Sequence, residues 1–264
     1  MLVRAMTNKQ TPEIRILLNS KTNQVDFLYS AVSLARQMHV GLQGMFIEEE
    51  NLLRAADLPI SREVSLRSAH EREISGETMQ RSLRSYALNK KNALEKLAQK
   101  ESIESSFQVI RGERMHWILG SNKRTDILFI DAKNDTHKTY QNLQYCRIDA
   151  APLKLLYNGS IASQRALKIA FKLAQISKKP LLILNMGDAI NTESELSEKI
   201  QLLLNSYPDI AVNVESINNE QVSVLLRKLH AFMFIYPRDI EWSDKDKYLE
   251  NILRSDQCPI VLVK

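Results

Sequence analysis

The sequence has few of the residues that interrupt or cross-link a chain. Its 264 residues include only 7 glycines, 7 prolines and 2 cysteines. Two cysteines are too few for a fold held by disulfides. With 44% hydrophobic residues, the chain also lies outside the collagenous and disordered classes. A chain of this length and composition is expected to bury a large apolar core without metal or disulfide support.

Long hydrophobic runs are also missing. No uninterrupted apolar stretch reaches the roughly 18–20 residues that a membrane-spanning helix needs, and residues 1–10 contain no apolar core of a secretion signal. Cys146 and Cys258 are far apart in the sequence. Together these features predict a cytoplasmic protein in a reducing compartment.

The chain contains an internal repeat with an offset of 139 residues. The matches at this offset are Asn19 with Asn158, Ala31 with Ala170, Leu34-Ala35 with Leu173-Ala174, and Leu42 with Leu181. Phe129-Ile130 matches Phe234-Ile235 at an offset of only 105. The difference between the two offsets gives the first copy 34 extra residues.

Each copy alternates short apolar runs with helical patterns, which predicts an α/β fold with open, mainly parallel sheets. Helices are predicted at 24–39 and 161–177 because their alanines and leucines recur at helical spacing, and Ser160 precedes the second as an N-cap. Predicted strands are 14–18, 42–47, 107–110 and 127–131, then 153–157, 180–185, 210–214, 231–236 and 259–264.

The extra residues of the first copy lie at about 61–101, which contain no proline and one glycine, Gly76. Helical spacing of apolar residues predicts a long helix here, broken near Gly76. Residues 133–144 are polar and predict an exposed connection. We place the domain boundary near Asp149, giving a first domain at 11–149 and a second at 150–264.

Ligands of open α/β sheets bind at the carboxyl ends of strands near the point where strand order reverses. This rule selects two loops as candidate sites, and their residues are Asn19, Ser20, Asn158, Gly159 and Ser160. The alternative is structural, because Asn-Gly and a serine cap suit any turn from a strand into a helix.

Sequence signatures of catalysis and metal binding are missing. There is no Gly-x-Ser-x-Gly elbow and no Gly-Lys-Ser/Thr phosphate loop, and the five histidines never occur at i, i+4 spacing. Glu48-Glu49-Glu50 is interpreted as a solvated acidic turn, and the cysteines as small apolar core residues. We therefore assign no catalytic residue and no metal ligand, and expect a protein that is not an enzyme.

Between Ser61 and Lys100 the chain has nine lysines or arginines and five glutamates, an excess of four in a chain whose net charge is +5. This segment could dock an acidic partner, a nucleic acid or an anionic membrane surface. We favour a solvated helix whose basic side chains cover apolar neighbours, because the interspersed glutamates weaken the positive field. The candidate partner-binding residues are Arg67, Arg72, Arg81, Arg84, Lys90 and Lys91.

The repeated strand–helix order resembles the tandem universal stress proteins from about Thr11 to Lys264. Three segments carry this resemblance: GLQGMFIEEENLLRAADLP at 41–59, Asn158-Gly159-Ser160 after the first strand of the second copy, and the terminal CPIVLVK. The resemblance implies five mainly parallel strands in each unit, two units packed as a pseudo-dimer, and ATP or AMP binding in many members.

The sequence departs from the nucleotide-binding members of that family. Asn19 and Asn158 stand where an aspartate is expected, and no glycine occurs between Gly120 and Gly159 or after Gly187. A phosphate cradle needs unobstructed backbone N–H groups, which glycines supply. We therefore expect no cofactor and a regulatory, partner-binding role in stress. ATP or AMP binding in an altered pocket is the alternative, and a homo-oligomer or an unknown protein partner stays open.

Overall fold

The structure is a computed structural model that describes residues 13–20, 25–64, 70–120, 126–131, 151–186, 190–218, 231–238, 249, 253 and 258–264. The first half contains β1 (Ile14–Leu18), α1 (Val25–Met38), β2 (Leu42–Glu49), α2 (Glu50–Ala56), β3 (Arg62–Val64), β4 (Glu71–Glu73), α3 (Gly76–Lys100), β5 (Ser105–Gly112), α4 (Arg114–Gly120) and β6 (Ile127–Ile130). The second half contains β7 (Leu153–Tyr157), α5 (Ile161–Ser177), β8 (Leu181–Asn185), α6 (Ile190–Ser206), β9 (Val212–Ser216), β10 (Met233–Pro237) and β11 (Ile260–Val263). The predicted connection at 133–144 and the boundary near Asp149 lie outside the described residues.

All described strands except β3 and β4 form one nine-stranded sheet, in the order β5-β2-β1-β6-β11-β10-β7-β8-β9. Neighbours pair in parallel except β6 and β11, which run antiparallel with Ile130 opposite Ile260. The mainly parallel α/β fold is therefore confirmed, but the two expected sheets are joined into one. They join because β11 fills the hydrogen-bonding edge of β6, so neither strand presents unpaired backbone groups there.

The two halves share one strand order, since β5-β2-β1-β6 and β9-β8-β7-β10 correspond position by position. The hydrogen-bond register corrects one part of the sequence match. Arg15 pairs with Leu128, whereas Lys154 pairs with Phe234, so these strands correspond at an offset of 106. The offset of 105 is wrong because a shift of one residue would turn every side chain to the other face of the sheet. The first half therefore has 33 extra residues.

Apolar residues cover both faces of the sheet. Ile16 and Leu18 of β1 pack in the larger core with α1, α3, α5 and α6, while Leu17 packs in the second core with Ile118 of α4. This alternation follows from the period of two in a strand. Strands buried on both faces read as continuous apolar runs, which is why the sequence identified them.

The inserted segment is a hairpin followed by a helix. β3 and β4 pair antiparallel, with Arg62 opposite Glu73 and Val64 opposite Glu71. The expectation of helix from 61 is therefore wrong up to Ser75, which caps α3 by accepting a hydrogen bond from the Thr78 backbone N–H at 3.2 Å. No helix in the part of the chain that the structure describes is long and apolar enough to cross a membrane.

Candidate functional site

The two predicted loops lie at opposite ends of the sheet. β1 and β7 each lead into their loop at the carboxyl end, but the antiparallel β6–β11 pair reverses the direction of one half relative to the other. Asn19 and Ser20 therefore lie at one end, and Asn158, Gly159 and Ser160 lie at the other. The topology leaves two separate positions, and the loops do not line a common pocket.

The polar groups of the second-half loop form local hydrogen bonds. Asn158 Oδ1 accepts from the Ser160 backbone N–H at 3.2 Å, and Ser160 Oγ accepts from the Ser163 N–H at 3.1 Å. Gly159 has a φ of 80°, which a glycine adopts without strain. Gln164 Nε2 donates to the Gly159 carbonyl at 3.2 Å. These bonds form an Asx turn and an N-cap, so the loop starts α5.

Pro237 and Arg238, at the end of β10, offer no free backbone N–H to the loop that follows β7. Pro237 has no N–H, and the Arg238 N–H donates to the Val263 carbonyl at 2.6 Å. The Arg238 side chain extends to the first half, where Nη1 donates to the Ile118 carbonyl at 3.2 Å. Arg238 thus links the end of β10 in the second half to α4 in the first.

The first-half position contains buried charges that the sequence analysis did not select. Asp131, directly after β6, is 1% exposed, and Arg114 at the start of α4 is 7% exposed. Arg114 Nη2 donates to the Asp131 carbonyl. Burial lowers the pKa of Lys90, and the negative charge of Asp131 partly opposes that shift. An aspartate directly after an apolar strand was the available signal for this cluster, whereas Arg114 had none.

Glu48 also differs from its expected environment. It lies on β2, is 7% exposed and pairs with Arg111 Nη2 at 3.5 Å across the β2–β5 ladder. The expectation of a solvated turn is therefore wrong for Glu48, because the strand continues to Glu49. Glu50 begins α2 and pairs with Arg54 at 2.7 Å on the surface.

A cavity of about 330 Å³ opens at the carboxyl ends of β2 and β5, beside α4. Its lining residues are Ile47, Ile110, Arg111, Gly112, Glu113, His116 and Trp117. The isoleucines belong to the second core or pack against it, as does Trp117. His116 and Trp117 are adjacent in the sequence, but the strand register and the start of α4 bring them to Ile47.

The candidate basic residues have mixed surroundings. Exposed Arg81 pairs with Glu77 at 2.5 Å, Lys91 approaches Glu95 to 3.8 Å, and both pairs have i, i+4 spacing. Arg84 is exposed and Lys90 is half-buried. Arg72 lies on β4, and Arg67 lies outside the described residues. The glutamates on α3 therefore offset part of the basic charge that the sequence suggested.

Cys258 is buried, and this burial raises the pKa of its thiol to about 12. A thiol with such a pKa stays protonated and unreactive at neutral pH. Cys146 lies outside the described residues. Within the described ranges, no group of three or more His, Cys, Asp or Glu side chains has the arrangement of a metal site.

No family model matches the chain, and no curated protein matches it. Among solved structures it is similar to a universal stress protein from Archaeoglobus fulgidus, with 12% identity, a TM-score of 0.48, and coverage of 95% of this chain and 96% of that one. It is similar to a protein described as a universal stress protein from Pseudomonas aeruginosa, with 12% identity, a TM-score of 0.46, and coverage of 97% and 94%. It is also similar to the cytoplasmic domain of a prokaryotic cation chloride cotransporter, with 12% identity, a TM-score of 0.42, and coverage of 96% and 95%. Each match extends over nearly the whole length of both chains.

Proposed function

We propose that this chain is a non-enzymatic, universal-stress-like protein that acts by binding a partner in stress regulation, with a nucleotide position that is lost or remodelled. One observation carries the proposal. After β10, Pro237 has no N–H and the Arg238 N–H already bonds to the Val263 carbonyl at 2.6 Å. A phosphate cradle needs consecutive free N–H groups, and neither Pro237 nor Arg238 supplies one.

The loop after β7 supports the same conclusion. Asn158 and Ser160 use their side-chain oxygens for the turn and the cap of α5. Binding a ribose or phosphate through either oxygen would compete with these local bonds.

Two tandem units packed as a pseudo-dimer are the architecture we propose for this function. The shared strand order supports two related units. The antiparallel β6–β11 pair, and the packing of α1 against α5, support an approximate twofold relation between them. Such a joined scaffold offers a rigid surface to a partner without needing a reaction at either carboxyl end.

The test is isothermal titration of the purified, nucleotide-stripped full chain with ATP and with AMP, each with and without magnesium. We expect no saturable heat up to millimolar nucleotide and no release of phosphate from ATP. Micromolar binding would contradict the loss of the site and favour the alternative of an ATP- or AMP-binding protein. Phosphate release that depends on the protein would contradict the non-enzymatic assignment.

A further inference from the structure

The cavity beside α4 has an apolar floor and one aromatic wall. Ile47 and Ile110 are direct neighbours across the β2–β5 ladder, and Trp117 packs against the same core. At about 330 Å³, the cavity is at the lower end of the roughly 300–1,000 Å³ range of small-molecule sites. Its floor and wall suit a small ring system that stacks on the Trp117 indole.

The cavity is kept open where β5 turns into α4. Gly112 has a φ of 153°, a backbone conformation that residues with a side chain rarely adopt. No atom lies within 4 Å of the position that a Cβ at Gly112 would take. This glycine lets the chain turn sharply, so Glu113 follows the strand directly and reaches the cavity rim. The turn therefore brings an exposed carboxylate beside the indole wall.

Arg111 lines the cavity, but its guanidinium group lies on the other face of the sheet. Successive side chains of a strand leave opposite faces of the sheet, so the side chain of Arg111 leaves on the face opposite Ile110. There its Nη2 pairs with Glu48 Oε2 at 3.5 Å. Glu113 is consequently the formal charge at the rim, with the exposed imidazole of His116 nearby.

We propose that this cavity binds a small arylalkylamine, with its aromatic ring against Trp117 and its ammonium beside Glu113. An ammonium is attracted both by a carboxylate and by the face of an indole. The aliphatic floor of Ile47 and Ile110 accepts the apolar part of the ligand. The residues that line this cavity include neither Asn19 nor Asp131, so the proposal does not depend on the function proposed above.

The experiment uses Trp117 as the reporter. The chain has two tryptophans, Trp117 and Trp242, so full-length Trp242→Phe protein, excited at the long-wavelength edge where tyrosine does not absorb, fluoresces from Trp117 alone. Three nitrophenyl quenchers of similar size serve as probes: 2-(4-nitrophenyl)ethylamine, the neutral 2-(4-nitrophenyl)ethanol and the anionic 3-(4-nitrophenyl)propanoate. We expect saturable quenching by the amine, with affinity about fivefold above that of the alcohol, as for a partly exposed ion pair.

Two variants in this background assign the charge selectivity. Glu113→Gln should remove the preference for the amine over the alcohol, and Glu113→Lys should reverse it in favour of the propanoate. Glu104→Gln is the matched control, because Glu104 is an exposed glutamate before the other end of β5. It should leave all three affinities unchanged, and circular dichroism verifies that each variant is folded.

The proposal fails if none of the probes quenches saturably, if amine and alcohol bind equally, or if Glu113→Gln leaves the preference intact. A competition experiment with Nα-acetyl-lysine amide, which mimics a lysine of a partner protein, measures displacement of the bound nitrophenyl-ethylamine. It distinguishes a site for a free arylalkylamine from a site for a partner's lysine. We expect Nα-acetyl-lysine amide to displace the probe more weakly than phenethylamine does. Equal or stronger displacement would overturn the requirement for a ring.

Discussion

Gly44 in the middle of β2 makes room for the helix α3. A Cβ at this position would overlap Leu94 Cδ2 of α3 and lie 2.8 Å from Phe107 Cδ2 of β5. At the offset of 139 residues, the second half has Ile183, which is buried in the larger core. The close approach of α3 to β2 at this position explains why glycine stands where the second half has a branched residue.

We expect Gly44→Ala to lower the free energy of unfolding by about 1–3 kcal/mol, the usual cost of overpacking a core. Chemical denaturation of the full chain measures this value. Gly41→Ala, directly before the same strand, is the matched control, because a Cβ at Gly41 would lie 3.7 Å from the Glu104 carbonyl, an ordinary contact. Equal stability of Gly44→Ala and the parent protein would show that α3 does not pack tightly on β2.

At the scale of elements, the two corresponding helices end in the same way. α1 is followed by His39 with a φ of 54°, and α5 by Lys178 with a φ of 54°. These positions are 139 residues apart, so the left-handed ending is a shared feature of both copies. A residue with a Cβ is strained in this conformation, and glycine is the usual choice after a helix.

Lys178→Gly should therefore stabilise the protein by about 1 kcal/mol, because glycine relieves the left-handed strain. Lys168→Gly, the same substitution at an exposed position inside α5, should destabilise it by about 0.5–1 kcal/mol. Thermal unfolding followed by circular dichroism compares the two. A loss of stability in both variants would contradict a left-handed Lys178.

At the scale of the whole molecule, the halves share one core. The larger core contains Ile16 and Phe129 from the first half and Leu155 and Ile235 from the second. Arg238 adds a hydrogen bond from the end of β10 to α4. Unfolding one half would expose the β11 edge and the apolar face that its partner covers, so neither half is expected to unfold alone.

Two single-tryptophan variants test this coupling. Trp117→Phe leaves Trp242 as the reporter in the C-terminal half, and Trp242→Phe leaves Trp117 in the N-terminal half. Urea transitions monitored by fluorescence in each variant should have midpoints that coincide with the circular dichroism transition of that variant. Separate midpoints within one variant would show that the halves unfold independently, despite the β6–β11 pair.

The sequence by itself determined the local elements. The apolar runs predicted β1 and β7 at the observed residues, and helical spacing with the Ser160 cap predicted α5 from Ile161 to Ser177. These features depend on neighbours in the chain, so periodicity and capping are sufficient to locate them. The hairpin at 62–73 escaped prediction because its charged strands pair with each other and show no alternation of apolar and polar residues.

Only the tertiary structure decided how these elements meet. The antiparallel β6–β11 pair joins two predicted sheets and separates the Asn19 and Asn158 loops to opposite ends. The pairing of Glu48 with Arg111, and the meeting of Ile47 with Trp117, join residues more than sixty positions apart. Sequence patterns report which face of an element is apolar, but long-range register decides which polar groups that face encloses.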